Sequence, residues 1–285
     1  MTEPATEPAP ESAPESAPES APEYTVTAMK PFGAVVEARR EGTDLGALDI
    51  AAVRALVAEH RVVVLRRFRA FADKDDLVAY ARRWGSILSW NFGEVLDLEV
   101  HADPKDYVFT PGPVPYHWDG AFAEKTPTHQ VFQCVKAPAR GTGGRTTFCD
   151  TALVLDGLPA GTRAVWEGLS VTYRKEKTAH YGGHITAPLV QRHPHTGAPV
   201  VRYAEPLAPE DFLSPLFLDV EGLPEGTAPE DFFAEIRERL YDADVMYEHA
   251  WEDGDYVVTD NHALLHGRTA FTQGSPRHLR RVHVL

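Results

Sequence analysis

Hydrophobic and polar positions follow two different rhythms along the chain. Up to residue 85, strand-like and helix-like patterns take turns. Phe32 to Ala38 reads as a strand. Asp49 suits the N-cap of a helix running to about His60. Within 61–68, the unbroken run Val62, Val63, Val64, Leu65 reads as a buried strand. Asp73 opens a second helix, with Leu77, Val78, Ala81 and Trp84 at helical spacing and a stop at Gly85. Beyond it, short apolar runs alternate with Gly/Pro clusters: Tyr107–Thr110, His129–Lys136, Gly144–Asp150, Leu169–Arg174, Val200–Tyr203, Asp255–Asp260 and Leu279–Leu285. Such spacing predicts an antiparallel sandwich or barrel, mainly β with flanking helices. One more helix is expected over 231–242, where Phe232, Phe233, Ile236 and Leu240 share a face. Two long connections, 175–199 and 204–230, are expected to be lids or insertions.

The first 23 residues stand apart. They repeat Glu, Pro, Ala and Ser and cannot bury enough apolar surface to offset the entropy of ordering them. They are read as a disordered, polyproline-like tail, 1–23, ahead of one domain over 24–285. The tail holds six glutamates and no Lys or Arg; without them the net charge of −14 becomes −8. A negative body argues against a nucleic-acid partner, whose phosphates require clustered cations. No basic-plus-apolar leader opens the chain, and no run reaches the ~18 apolar residues of a membrane span. Cys134 and Cys149 both lie in apolar, strand-like stretches and are expected to be buried free thiols. A cytoplasmic location is expected.

Three segments carry candidate chemistry. The first is Pro115-Tyr116-His117-Trp118-Asp119-Gly120. In extended chain, residues two apart point the same way, so His117 and Asp119 can meet one cation. Taken alone, a His-x-Asp is more often a surface turn. The second is the strand, turn and strand end from Asp255 to His266. Two histidines and one carboxylate on one side of a metal leave the opposite positions open, the pattern of non-haem iron(II) oxygenases. The third is Arg277, with Arg280 and Arg281 nearby. Taken alone, these are a solvated edge. Near His266, Arg277 could supply the planar, permanently charged fork that a dicarboxylate co-substrate needs. On a strand, Arg277, Leu279 and Arg281 would share a face opposite His278 and Arg280.

The combination His117-x-Asp119, His266 and Arg277 resembles the taurine dioxygenase family of 2-oxoglutarate-dependent oxygenases. Ala81-Arg82-Arg83-Trp84-Gly85, Gly143-Gly144-Arg145-Thr146 and His266-Gly267-Arg268-Thr269 are similar to further family segments, so the likeness runs from Phe32 to Leu285. It implies a double-stranded β-helix (jelly roll) fold. It implies iron(II) on His117, Asp119 and His266, and 2-oxoglutarate contacted by Thr146 and Arg277. O2 is then consumed, with succinate and CO2 released as the substrate is oxidised. Family halogenases lack the carboxylate, so Asp119 points to hydroxylation, desaturation, epoxidation or ring closure instead.

The substrate is expected to be a small, amino-acid-derived carboxylate. The stretches 129–136 and 178–205 resemble natural-product oxygenases of the isonitrile pathways. Arg281 matches by spacing a family position that contacts an anionic substrate group. Arg202 could hold the carboxylate, or could be a structural partner of Glu205 or another acid. His180 belongs to a segment that is either a lid with substrate contacts or an exposed charged loop. His193-Pro194-His195 reads as a turn rather than a metal pair, and His262 as an outer neighbour of the site. The rival readings are a non-catalytic jelly-roll binding protein and, more distantly, a zinc hydrolase with the same ligands.

Overall fold

The structure is a computed structural model and describes residues 23–179 and 182–285. The tail expected over 1–23 therefore lies, but for Glu23, outside the described residues. Strands β1 (Tyr24–Ala28), β2 (Ala34–Ala38), β3 (Val62–Arg66) and β4 (Val95–Leu98) precede the first site strand, β5 (Val114–His117). Helices α1 (Ile50–His60) and α2 (Lys74–Arg82) flank β3. Then come β6 (His129–Lys136), β7 (Thr146–Asp150), α3 (Thr151–Asp156) and α4 (Ala160–Glu167). They are followed by β8 (Ser170–Ala179), β9 (Gly182–Pro188), β10 (Val190–Arg192), β11 (Pro199–Val201), β12 (Phe217–Glu221) and α5 (Pro229–Leu240). The chain closes with β13 (Met246–His249), β14 (Tyr256–Asp260), β15 (Leu264–Arg268) and β16 (His278–Val284).

Two sheets face each other. The larger has the order β1-β2-β3-β14-β6-β16-β4, and the smaller β13-β7-β15-β5. Apart from the parallel β2–β3 pair, their ladders are antiparallel. This is the jelly roll. Alternation decides which residues go where. Val63, Leu65, Val258, Val282 and Val284 turn outward under α1 and α2, meeting Val53, Val57, Leu77 and Trp84. Their neighbours Val62, Val64, Val257 and Leu279 turn inward and meet Phe132, Phe148 and Trp251 between the sheets. A third apolar cluster joins Trp166 of α4, Ile236 and Leu240 of α5, and Val171 and Tyr173 of β8.

Both expected N-caps form: Asp49 accepts from the Ala51 amide, and Asp73 from that of Asp76. The second helix ends at Arg82, short of Gly85. Tyr107–Thr110 is not a strand. The Asp106 carboxylate accepts from the Val108 amide at 3.1 Å and closes a single 3-10 turn over Tyr107–Phe109. Local side-chain capping thus outcompetes an apolar run that has no sheet neighbour. Nor is 175–199 an irregular connection. It holds the end of β8, then β9 and β10, because β9 finds a partner in β8 along Ser170↔Pro188 to Arg174↔His184. Likewise 204–230 contains β12, paired with β8. Cys134 and Cys149 are free and buried, and burial raises the Cys134 thiol to about 12. Among the described residues, no helix is long and apolar enough to cross a membrane.

Candidate active site

His117 ends β5 and lies opposite His266 in the antiparallel β5–β15 pair, their ring centroids 4.2 Å apart. The strands approach closely here. A Cβ on Gly267 would stand 2.5 Å from the Val114 carbonyl oxygen and 2.9 Å from Thr147 Oγ1, so only glycine fits. Nδ1 of His117 lies 3.0 Å from the Pro115 carbonyl oxygen. A carbonyl only accepts, so this nitrogen carries the proton and Nε2 is left with its lone pair. Asp119 follows two residues later, where β5 has ended. Asn261 fixes its backbone: the Asn261 amide donates to the carbonyls of Asp119 (3.0 Å) and Pro127 (2.8 Å) and accepts from the Asp119 N–H (3.2 Å). His117 Nε2 is then 3.7 Å from Asp119 Oδ1, and His266 Nε2 is 3.5 Å from Asp119 Oδ2. All three donor atoms lie within 4.8 Å of one another and can hold one metal ion.

The facing sheet prepares the carboxylate. Asp119 Oδ2 accepts from Gln130 Nε2 on β6, from His283 Nε2 (2.8 Å) and from Arg281 Nη1 (2.7 Å), both on β16. Thr259 donates to Gln130 Oε1 at 2.9 Å, which turns the amide NH2 toward Asp119. Trp90 Nε1, which can only donate, lies 2.8 Å from His283 Nδ1; the His283 proton is therefore on Nε2. Burial opposes ionisation of Asp119, but the Arg281 guanidinium above all, with His283 and His266 beside it, outweighs that and holds the carboxyl well below its usual range. Burial and neighbouring His117 push His266 well below the usual imidazole value. An ionised carboxylate and neutral imidazoles are the forms that bind a metal.

A cavity of about 420 Å³ opens over these three residues and also exposes Thr146, Arg277, Arg281 and His283. Arg277 is buried; its Nε donates to the Gly144 carbonyl (3.0 Å) and its Nη2 lies 3.5 Å from Thr146 Oγ1. Gly143 and Gly144 have φ of +83° and +76°, and a Cβ on Gly143 would lie 2.1 Å from the Ala270 carbonyl oxygen. That glycine pair brings the Gly144 carbonyl to the guanidinium. Trp251 Nε1 donates to Thr146 Oγ1 at 2.9 Å, so the Thr146 hydroxyl hydrogen remains available to an acceptor. Among the described residues no carboxylate pairs with Arg277, and burial lowers it to about 9. A buried guanidinium beside a free hydroxyl, without an acid, suits the far carboxylate of a dicarboxylate.

The family model for taurine catabolism dioxygenase TauD, the TauD/TfdA family, matches residues 25–283. The chain belongs to this family. It is an iron- and 2-oxoglutarate-dependent oxygenase, and its donor set and cavity fit both groups. The oxygenase is 45% identical over 263 residues to a 3-((Z)-2-isocyanoethenyl)-1H-indole synthase of Fischerella ambigua, covering 92% of this chain and 96% of the relative. It is 38% identical over 258 residues to a tyrosine isonitrile desaturase of Pseudomonas aeruginosa, covering 89% and 87%. The solved structure of PvcB, an Fe, alpha-ketoglutarate dependent oxygenase from an isonitrile synthetic pathway, superposes with a TM-score of 0.78 at 33% identity over 95% of each chain.

The oxygenase does not bring every expected residue to the cavity. Arg281 lines it, but Nη1 is held by Asp119. Arg202 is buried elsewhere: it stacks on Trp118 at 5.1 Å and donates to the carbonyls of Asn261 and His262. Glu205 is not its partner, because that carboxylate accepts from Tyr241 Oη (2.6 Å) and the Tyr116 amide (2.8 Å). His180 lies outside the described residues. His193 forms the expected turn, accepting the His195 and Thr196 amides and meeting Asp260 at 2.9 Å. Sequence reasoning missed Gln130, His283, Asn261, Trp251 and Arg268. Arg268 donates to the carbonyls of Val108, Thr110 and Gly112, securing the segment that roofs the cavity. Strand parity with Arg281 could have found His283; nothing local marks the others.

Proposed function

We propose that the oxygenase introduces a carbon–carbon double bond into an isonitrile derived from an aromatic amino acid. His117, Asp119 and His266 hold the iron, and Arg277 and Thr146 hold the distal carboxylate of 2-oxoglutarate. The observation that carries this reading is the joining of the three-donor cluster to the Arg277–Thr146 anion site in one cavity. The relatives' names supply the compound class: one is named for making an isocyanoethenyl indole, another for desaturating tyrosine isonitrile.

When bound, iron and 2-oxoglutarate supply a two-electron oxidation drawn from O2, with succinate, CO2 and water as co-products. The chain supplies placement and exclusion of water. His117 and His266 present neutral nitrogens, and Asp119 the compensating charge. Trp90, Phe92, Phe109 and Phe122 line the cavity walls and suit an aromatic ring. Of the residues expected at the substrate, Arg281 lines the cavity with its Nη1 on Asp119. A cytoplasmic setting is part of the reading, supported by two buried, unpaired thiols.

The test is succinate release coupled to alkene formation with the isonitriles of tyrosine and tryptophan. Equal succinate release with and without either compound would overturn the substrate class.

A further inference from the structure

Strand β8 alternates cleanly. Thr172 and Arg174 point outward, Thr172 to Thr186 on β9 (2.7 Å) and Arg174 to Asp219 on β12 (2.9 Å). Val171 and Tyr173 point inward and are 0% and 1% exposed, with Tyr173 edge-on to Trp118. Lys175 follows, half-buried, where the β8–β9 register becomes irregular between Arg174 and Ala179. It lines the cavity over the iron ligands, and its Nζ lies 6.0 Å from the centre of the Phe122 ring, which also lines it.

A lysine on the cavity wall, among aromatic side chains, gains nothing as packing. The other cavity cations are occupied. Arg268 is spent on three loop carbonyls, Arg277 beside Thr146 is assigned to 2-oxoglutarate, and Arg281 is held by Asp119. The cavity's acids are occupied too: Asp119 by Arg281 and His283, and Asp106 by the Val108 amide. Among the described residues, no carboxylate pairs with Lys175.

We infer that Lys175 is the positioning residue for the substrate's carboxylate, holding it on the β8 side of the cavity. This rests on the reading of the substrate as an amino-acid-derived acid. One ammonium on a flexible stem suits a carboxylate that must be admitted and released, whereas Arg281 is tied to a metal ligand. The ring lies among the aromatic walls, and the carboxylate on Lys175 sets which C–H faces the ligands.

The experiment is calorimetry on the protein loaded with iron(II) and 2-oxoglutarate without O2. The probes are the isonitriles of tyrosine and tryptophan, 3-(4-hydroxyphenyl)propionate, 3-(indol-3-yl)propionate, and the methyl esters of all four. Wild type should bind the acids more tightly than the esters. Lys175→Met should weaken acid binding by roughly ten- to hundred-fold, the loss of one charge-assisted hydrogen bond, and leave the esters unchanged. Lys175→Arg should restore much of the difference. In steady state the same loss should fall on KM more than on kcat.

The 2-oxoglutarate requirement and the charge-transfer absorption should stay at wild-type values in Lys175→Met. Equal binding of acids and esters by wild type, or an unchanged preference in Lys175→Met, overturns the inference. So does failure of wild type to bind any of the acids. Acid preference that depends on Lys175 but ignores the isonitrile group would uphold Lys175 and overturn only the isonitrile assignment.

Discussion

His117 and His266 stand directly opposite each other across the β5–β15 pair, ring centroids 4.2 Å apart. Opposed positions in an antiparallel pair project to the same face. Both imidazoles of the candidate donor set are thus placed by sheet pairing, while Asp119 depends on what surrounds its loop.

Removing a strand-borne ligand should abolish iron binding as such. With iron(II) and 2-oxoglutarate and no O2, the wild type should show a visible charge-transfer band. His266→Ala, left with two donors, should show none. A normal band in that variant would remove His266 from the ligand set.

Asn261 should act through Asp119 without touching the metal. Asn261→Ala removes the amide that bridges the Asp119 N–H, the Asp119 carbonyl and the Pro127 carbonyl. Loss of a ligand-orienting contact weakens metal binding by roughly 10–100-fold. Iron(II) competition against a chelator should show a loss of that order, and unaltered affinity would mean that β5 alone aims the carboxylate.

Arg277 and Arg281 should separate cleanly. Arg277→Leu removes the guanidinium lying on Thr146 and should cost about 2–5 kcal/mol of 2-oxoglutarate binding. The substrate requirement should change little. Arg281→Leu should weaken iron binding instead, because its Nη1 sits 2.7 Å from Asp119 Oδ2. Titrating each variant with 2-oxoglutarate and with iron decides between these outcomes, and the larger 2-oxoglutarate defect in Arg281→Leu would reverse the two roles.

Away from the site, Asp255 should govern part of the acid stability. Burial opposes its ionisation, but the hydrogen-bonded Arg66 guanidinium, with His249 Nε2 3.3 Å away, outweighs that and lowers its pKa. A lowered carboxyl contributes stability that is complete above its unfolded pKa, about 3.9, and lost as pH falls through the lower folded value. Asp255→Asn removes the buried partner of Arg66 at 2.7 and 2.8 Å, leaves it Glu252 at 3.0 Å, and should cost about 2 kcal/mol at pH 7. Urea melts should show the gap between wild type and variant closing below about pH 4; a constant gap would assign the loss to packing.

The sequence by itself determined whatever depends on neighbours along the chain. Asp49 and Asp73 cap helices through their own next turns, and unbroken apolar runs such as Val62 to Leu65 have no solvent-tolerant alternative. The triad was legible because His117 and Asp119 are two apart in extended chain, and because Arg277 follows His266 closely. What crosses between sheets was not. Gln130, His283 and Trp90 reach Asp119 only because β6 and β16 lie opposite β5 and β15, a pairing that no local pattern encodes. The same holds for Arg202, whose charge reads in sequence as a substrate contact or as the partner of an acid but is used on the carbonyls of Asn261 and His262. It holds in reverse for Lys175, whose segment reads either as a lid with substrate contacts or as an exposed charged loop until the fold places it on the cavity wall. A side chain's type is written in the sequence, but the partner that satisfies a buried charge is supplied by strands distant in the chain, and only their packing decides which cations remain free for a ligand.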